Sequence, residues 1–303
     1  MSTRYEQVVA AIKRQLQTGQ IKPGGKLPSI RETAVCYACG KNTAIRAMQE
    51  LECHFRSNNL KFFYTVPRYH NPLGTSLSQE QKRKIARLAE KYDVYVVEDD
   101  YLADMEIKRK EDPLYSFDSS GHTVYLKSFS KIMLPGLRLA TAVLPEALLE
   151  TFRLFKASCD SSTATMSQAA LEIYLSCGMY DRHAAHVRHI YHERMRALRQ
   201  ACERYLPESC GYSVSESGIF LHVTFPADFP LDDLVHSLKQ QKILVTPSER
   251  CFLRTFPRVN GIRLSIIRTD ETQIVRGIRL IAEGVHALLQ KQALRQERVI
   301  DWI

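Results

Sequence analysis

The stretch Tyr125-Leu126-Lys127-Ser128-Phe129-Ser130-Lys131-Ile132-Met133-Leu134-Pro135-Gly136-Leu137-Arg138 decides how this chain reads. It opens on a short apolar run, Thr123 to Leu126, with the pattern of a buried strand. The sequence then turns polar and small, passes Ser128, Ser130 and Lys131, breaks at Pro135-Gly136 and reaches Arg138. A second apolar run, Leu139 to Leu144, is a further predicted strand. An amine beside hydroxyls and a guanidinium, just past a strand's C-terminal edge, suits a lysine that captures an aldehyde next to a phosphate. Such an amine reacts only when deprotonated, and a nearby cation and a desolvated site lower its pKa.

Two upstream segments sharpen this reading. Tyr92-Asp93-Val94-Tyr95-Val96-Val97-Glu98-Asp99-Asp100-Tyr101 is an apolar strand that ends in acids and a tyrosine. Tyr64-Thr65-Val66-Pro67-Arg68-Tyr69-His70-Asn71-Pro72-Leu73-Gly74 is a strand that runs into an Asn-Pro-x-Gly loop. In this order and at these spacings the three segments resemble the cofactor-binding segments of fold-type I pyridoxal-phosphate aminotransferases. The resemblance implies a role for each residue. Lys131 would carry the cofactor covalently and move the proton, with no second base evident. Asp99 would keep the pyridine nitrogen protonated, so that the ring acts as an electron sink. Tyr101 and Asn71 would hydrogen-bond the ring's phenolic oxygen, and Ser128 and Arg138 would hold the phosphate. Arg263, in Asn260-Gly261-Ile262-Arg263-Leu264-Ser265, matches the arginine that grips a substrate carboxylate through two donors.

The N-terminal residues have a different character. Tyr5, Val8, Val9, Ile12 and Leu16 recur at helical spacing, and Gly19 ends that predicted helix. A turn-rich connector, Ile21 to Pro28, leads to Ser29, placed to cap a second helix. After Cys39-Gly40, Asn42 can cap a third helix through Leu51. Helix, connector, helix, short turn and helix make a helix-turn-helix, whose last helix presents its N-terminus to DNA. Leu27-Pro28-Ser29-x-Arg31-Glu32 and Lys41-Asn42-Thr43 resemble the corresponding motifs of GntR regulators. With the downstream segments, the whole resembles the MocR subfamily, which joins a winged helix-turn-helix to an aminotransferase-like domain. DNA contacts are thereby implied for Ser29, Arg31, Lys41, Asn42, Thr43 and Arg46. Lys41 stands where the family has arginine, a change that loses two-donor reading of guanine.

The resemblance covers residues 1 to about 52 and about 60 to 290, and fails between them. After Glu52 the family's wing and linker do not follow. The aminotransferase-like sequence starts at Phe62-Phe63-Tyr64, already in its middle. The expected shortfall is on the order of a hundred residues, the size of a small domain. It would take with it the Gly-rich phosphate turn and the aromatic ring that stacks on the cofactor. It would also leave sheet edges unpaired and apolar faces uncovered.

From Phe62 onward the pattern is α/β, expected as a parallel sheet with crossover helices. Strands are predicted at Phe62–Val66, Val94–Glu98, Val124–Leu126 and Leu139–Leu144. Further strands are expected over Ser217–Val223 and Ile262–Ser265. Ser78 should cap a helix over Gln79–Tyr92. Helices follow at Leu148–Phe155, Ser167–Leu175, about Tyr180–Tyr205, Leu231–Gln241 and Thr272–Gln290, with frayed residues after Lys291. The expected organisation is a GntR-type helix-turn-helix over 1–52 without its wing and a junction at 53–61. A partial cofactor-binding large domain over 62–180 and an α+β small domain over 181–303 follow.

Composition agrees with a DNA partner without proving one. The chain has 303 residues, 45% hydrophobic and 25% charged, with a formal net charge of +9. Residues 1–52 contribute eight Lys/Arg against four acids, a basic balance suited to phosphate backbones. The eight cysteines include one Cys-x-x-Cys, Cys36 and Cys39, with no second pair at zinc-finger spacing. They read as small core residues, so no metal site is expected. No apolar run is long enough for a bilayer span, free thiols in a reducing cytoplasm are the simplest picture, and the family resemblance implies a homodimer. His54, His70, His183, His186, His189 and His192 read as solvated or packing residues.

Three functions stay open on the sequence. The first is a transcriptional regulator that binds DNA and whose aminotransferase-like domain senses pyridoxal phosphate and a small amine or amino acid. The second is a pyridoxal-phosphate aminotransferase acting on an amino acid. The third is a truncated remnant without function. With phosphate donors and the stacking ring missing, cofactor binding is expected to be weak.

Overall fold

The computed structural model describes residues 56, 60–106, 111–159, 162–213, 218–252 and 259–300, the last six without their side chains. Ser29, Arg31, Lys41, Asn42, Thr43 and Arg46 lie outside the described residues, as do Cys36 and Cys39. Two compact units emerge. One holds the described residues through His70 together with Ser76–Arg188, and the other holds Asn71–Thr75 and the residues from His189 onward.

The first unit is built on a four-stranded sheet in the order β1 (Phe62–Thr65), β2 (Tyr95–Asp99), β3 (Thr123–Ser128), β4 (Ala140–Val143). β1, β2 and β3 run parallel, with Tyr64 opposite Val97 and Asp99 opposite Leu126. The expectation of a wholly parallel sheet is corrected at its edge. β4 pairs antiparallel with β3, because only the short lysine-bearing loop connects them and a parallel return needs a dozen or more residues. The connection from β2 to β3 is also unlike the expected crossover. Among its described residues it contains two short 3₁₀ turns, Ala103–Met105 and Leu114–Phe117, and no α-helix.

Helix α1 (Gln79–Tyr92) is the crossover between β1 and β2. Ser78 and Gln81 form a capping box, each side chain accepting from the other's backbone N–H. Asp93, at a left-handed φ of 52°, closes the far end by donating its N–H to the last carbonyls. Its apolar stripe, Ile85, Ala86 and Ala89, packs on Val96 and Leu114 to make the core of this unit. Glu98 is fully buried on that same side, where its carboxylate accepts the N–H groups of Leu114 and Tyr115 at 2.8 Å each. Those two bonds satisfy a buried acid and fix the turn at 114–117.

Helices α2 (Glu146–Cys159) and α3 (Thr165–Ser176) follow, and α4 (Met179–Tyr205) runs through the boundary of the two units. No described residue of α2, α3 or β4 is buried, although α2 carries Leu149, Phe152, Leu154 and Phe155. Phe62, on edge strand β1, is likewise exposed. Among the described residues these apolar faces are uncovered and β1 pairs on one side alone, as the sequence led us to expect.

The second unit has a four-stranded sheet in the order β5 (Gly211–Tyr212), β6 (Phe220–Thr224), β8 (Gly261–Ser265), β7 (Thr246–Pro247), with every pairing antiparallel. Helices α5 (Leu231–Gln240) and α6 (Glu271–Ile300) pack with it, burying Leu234, Leu238, Ile274, Ile278 and Val285. The two-residue strands β5 and β7 escape sequence reading because they are too short for a period to register, and Pro247 sits where a ladder donor is absent. The frayed end expected after Lys291 is corrected, since α6 continues to Ile300.

Candidate functional site

Alternation along β2 divides its residues between the two faces of the sheet. Val96 and Glu98 face α1, while Tyr95, Val97 and Asp99 face the other way and are half-buried. Tyr64 lies opposite Val97, so Tyr64 and Asp99 share a face. The Tyr64 hydroxyl donates to Asp99 Oδ2 at 2.5 Å. Burial, then the bond to this carboxylate, pushes the tyrosine's ionisation far above its usual range, which keeps the hydroxyl a donor. Two residues on, the Tyr101 hydroxyl donates to the Tyr69 carbonyl at 2.7 Å.

The lysine loop leaves the C-terminal end of β3, next to the end of β2. Ser128 Oγ accepts from the Ser130 N–H at 3.2 Å, which curls the loop directly before Lys131. Phe129 and Ile132 are buried and pin the loop from beneath, while Lys131 is partly exposed between them. A 3₁₀ turn, Pro135–Leu137, ends at Arg138 in the left-handed region, φ 54°. The loop is also held from the side. Asp104 pairs with Lys127 Nζ at 2.9 Å and accepts the Tyr180 hydroxyl at 2.7 Å. His183 Nε2 lies 2.9 Å from the Ile132 carbonyl.

In the second unit Arg263 extends from β8. Its Nη1 donates to Asn71 Oδ1 at 3.0 Å, and its Nη2 reaches Thr246 Oγ1 at 3.5 Å. The guanidinium lies over the Phe220 ring, 4.8 Å from its centroid. Its Nε is buried with no hydrogen-bond partner among the described residues. Asn71 is held there by its own loop. Gly74, at φ +68°, lies so close to β6 that an added Cβ would stand 2.4 Å from the Phe220 carbonyl oxygen. Behind Arg263, His222 and Ser248 are both buried and share a hydrogen bond of 2.5 Å. Burial lowers the His222 pKa to about 4, so the imidazole is neutral.

Asp99, Tyr101, Ser128, Lys131 and Arg138 are thus gathered on the β2 and β3 ends of one unit, and Asn71 with Arg263 in the other. Sequence reading missed Tyr64, Asp104, Tyr180 and Thr246. Tyr64 could have been found, since pairing the first two strands in parallel puts it on the Asp99 face. Asp104 and Tyr180 gave no signal, because their contact joins residues far apart in the chain.

A mainly parallel sheet with a lysine loop and an acid at neighbouring strand ends, together with a separate antiparallel unit bearing an arginine, defines a fold-type I transferase architecture. Residues 34–278 match the model for aminotransferase class I and II, and the chain belongs to that family. Residues 4–54 match the model for bacterial regulatory proteins of the gntR family, so the chain also carries a GntR-type helix-turn-helix domain. It is 45% identical over 236 residues to the "Uncharacterized HTH-type transcriptional regulator YcxD" of Bacillus subtilis (strain 168), covering 77% of this chain and 53% of that protein. It is 25% identical over 239 residues to the "Probable rhizopine catabolism regulatory protein MocR" of Rhizobium meliloti, covering 78% of this chain and 48% of that protein. The multiple substrate aminotransferase from Thermococcus profundus superposes with a TM-score of 0.76 at 27% identity, over 82% of this chain and 62% of that one. The chain therefore spans about half the length of the regulators it matches. Dependence on pyridoxal phosphate is general in the class I and II fold.

Proposed function

We propose that the chain is a DNA-binding transcriptional regulator whose aminotransferase-like part binds pyridoxal phosphate and a small amino acid. The observation that carries this reading is the GntR match at 4–54 in the same chain as the lysine loop and Arg263. A free-standing aminotransferase has no use for a Leu-Pro-Ser-x-Arg-Glu helix pair. In this reading residues 1–52 bind DNA and 53–61 are a junction. Residues 62–180 hold the cofactor, 181–303 form the small domain, and the protein works as a cytoplasmic homodimer.

The donor set suits the cofactor. Asp99 is a carboxylate already accepting a hydrogen bond from Tyr64, so it can take the N–H of a protonated pyridine ring. Lys131 supplies a partly exposed primary amine, and Ser128 with Arg138 supplies a hydroxyl and a guanidinium for the phosphate. Bound there, pyridoxal phosphate would offer an aldehyde to amines and withdraw electrons from the carbon next to the nitrogen.

The chain's own residues do the remainder. Lys131 provides the amine that competes with the effector's, and in its free form it can take a proton. The Asn71 amide can donate to an oxyanion, and the Tyr101 hydroxyl would do so only on releasing the Tyr69 carbonyl, to which it now donates. Because Asn71 Oδ1 is occupied by Arg263, its Nδ2 is the group left to donate. Arg263 would bind the effector's carboxylate through its planar fork, using the N–H that has no partner. His222, buried and neutral, adds no charge that would compete for the carboxylate.

Retention of the lysine also supports an aminotransferase as the second reading. Titrating fluorescent duplex DNA from upstream of the chain's own gene, with and without pyridoxal phosphate, separates the two. Binding that weakens steeply with salt supports the regulator. Absence of DNA binding at low salt, with amino-group transfer between an amino acid and a keto acid, supports the enzyme.

A further inference from the structure

The second unit contains a cavity of about 430 Å³ that the site around Arg263 does not use. It lies within the range of about 300–1,000 Å³ typical of small-molecule sites. Its walls come from the segment after α5, the end of β8 and the first turns of α6. The lining is aliphatic, with Val245, Leu264, Ile266, Ile274 and Ile278 prominent and no aromatic ring among the described residues.

Three observations indicate a ligand rather than a packing defect. First, Thr269 lines the cavity, and its Oγ1 is buried with no hydrogen-bond partner among the described residues. A buried hydroxyl left unpaired costs stability unless something supplies its partner. Second, α6 has a glycine, Gly277, on the cavity wall, where an added Cβ would meet no atom within 4 Å. Glycine inside a helix is unfavourable relative to alanine, and here it enlarges the cavity. Third, the lining includes the exposed cations Lys242 and Arg276 and no acid among the described residues. An aliphatic interior with positive charge at its mouth complements an apolar molecule that carries one negative group.

We infer that this cavity is a second ligand site, for an aliphatic monocarboxylate. The chain of the acid occupies the space beside Gly277, Thr269 donates its hydroxyl to the polar end, and Lys242 and Arg276 balance the charge. Leu264 follows Arg263 on β8, and successive strand residues face opposite sides. The cavity therefore backs onto the strand that presents Arg263 without engaging its guanidinium.

Decanoate, kept below its micelle-forming concentration, is the probe. It is titrated into the full-length chain by calorimetry, with isoleucine-methyl NMR to locate the contact. One saturable site is expected, with shifts at the methyls of Ile266, Ile274 and Ile278. Gly277→Leu should fill the cavity and weaken binding at least tenfold without lowering the melting temperature. Thr269→Val, and separately Lys242→Gln with Arg276→Gln, should each weaken decanoate severalfold and leave decanol unchanged. Absent binding, shifts confined to other isoleucines, or undiminished affinity in Gly277→Leu would overturn the site. Decanol binding as tightly as decanoate would overturn its assignment to an acid.

Discussion

Arg263 donates through Nη1 to the side-chain oxygen of Asn71, 192 positions away in sequence, across 3.0 Å. The bond joins two residues that the family resemblance assigns to different tasks, one to the cofactor ring and one to the effector's carboxylate. An effector that engages Arg263 therefore acts on the same guanidinium that orients the Asn71 amide. Arg263→Lys removes the planar fork, the contact over Phe220 and this bond together. We expect amino-acid affinity to fall by tenfold or more, on the order of 1.4 kcal/mol per decade. Absorbance titration of the pyridoxal-phosphate-loaded chain measures it, and equal affinity in both proteins would remove Arg263 from the site.

Lys131 should be the point of covalent attachment. Borohydride reduction in the presence of pyridoxal phosphate, followed by peptide mapping, should place the phosphopyridoxyl label on Lys131 and on no other lysine. Each charged phosphate contact contributes about 1.5–3 kcal/mol. A site lacking two or three of them should lose the cofactor on dialysis before reduction. A label on Lys127 instead would sink the assignment, since that amine is already engaged in an ion pair with Asp104.

DNA affinity should be dominated by phosphate contacts and fall steeply between low and physiological salt. Removing two cations with Arg31→Ala and Lys41→Ala should lower the slope of log affinity against log salt by about 2. Mobility-shift titrations at several salt concentrations give the slope directly. An unchanged slope would count against the helix-turn-helix assignment.

His222 ties the stability of the second unit to pH. Its folded pKa, about 4, lies below the ordinary histidine value of 6.5. Between these values the unfolded chain binds the extra proton and the folded chain does not, so stability rises with pH through this window. It is lost as pH falls from 6.5 toward 4, by up to about 3 kcal/mol. Urea unfolding at pH 7 and pH 5 should show the loss in the parent chain, and a smaller one in His222→Gln. Parallel pH dependence in the two proteins would refute this role for His222.

How far these features could be read from sequence depended on whether they were local. Ser78 as a cap and the span of α1 are set by neighbours three and four residues apart, and both were legible. The strands that end at Asp99 and shortly before Lys131 were legible because an apolar run marks each of them. The antiparallel turn of β4 was not, since an apolar run carries no direction. Nor was the meeting of Arg263 with Asn71, which depends on a glycine turn pressing one loop against a distant strand.

The 14 residues of α2 bury no side chain, and β4, which precedes it in the chain, buries none. A helix of about 12–15 residues with no packed face is marginal in water. Backbone hydrogens in α2 should therefore trade with solvent deuterium within moments of dilution. Those of β2, between two strands and backed by α1, should survive until the whole unit opens. A single chain would then carry a steep gradient of amide lifetimes along one sheet, steepest across β3. Anything that binds the exposed face of α2 would announce itself as slowed exchange there, before its identity was known.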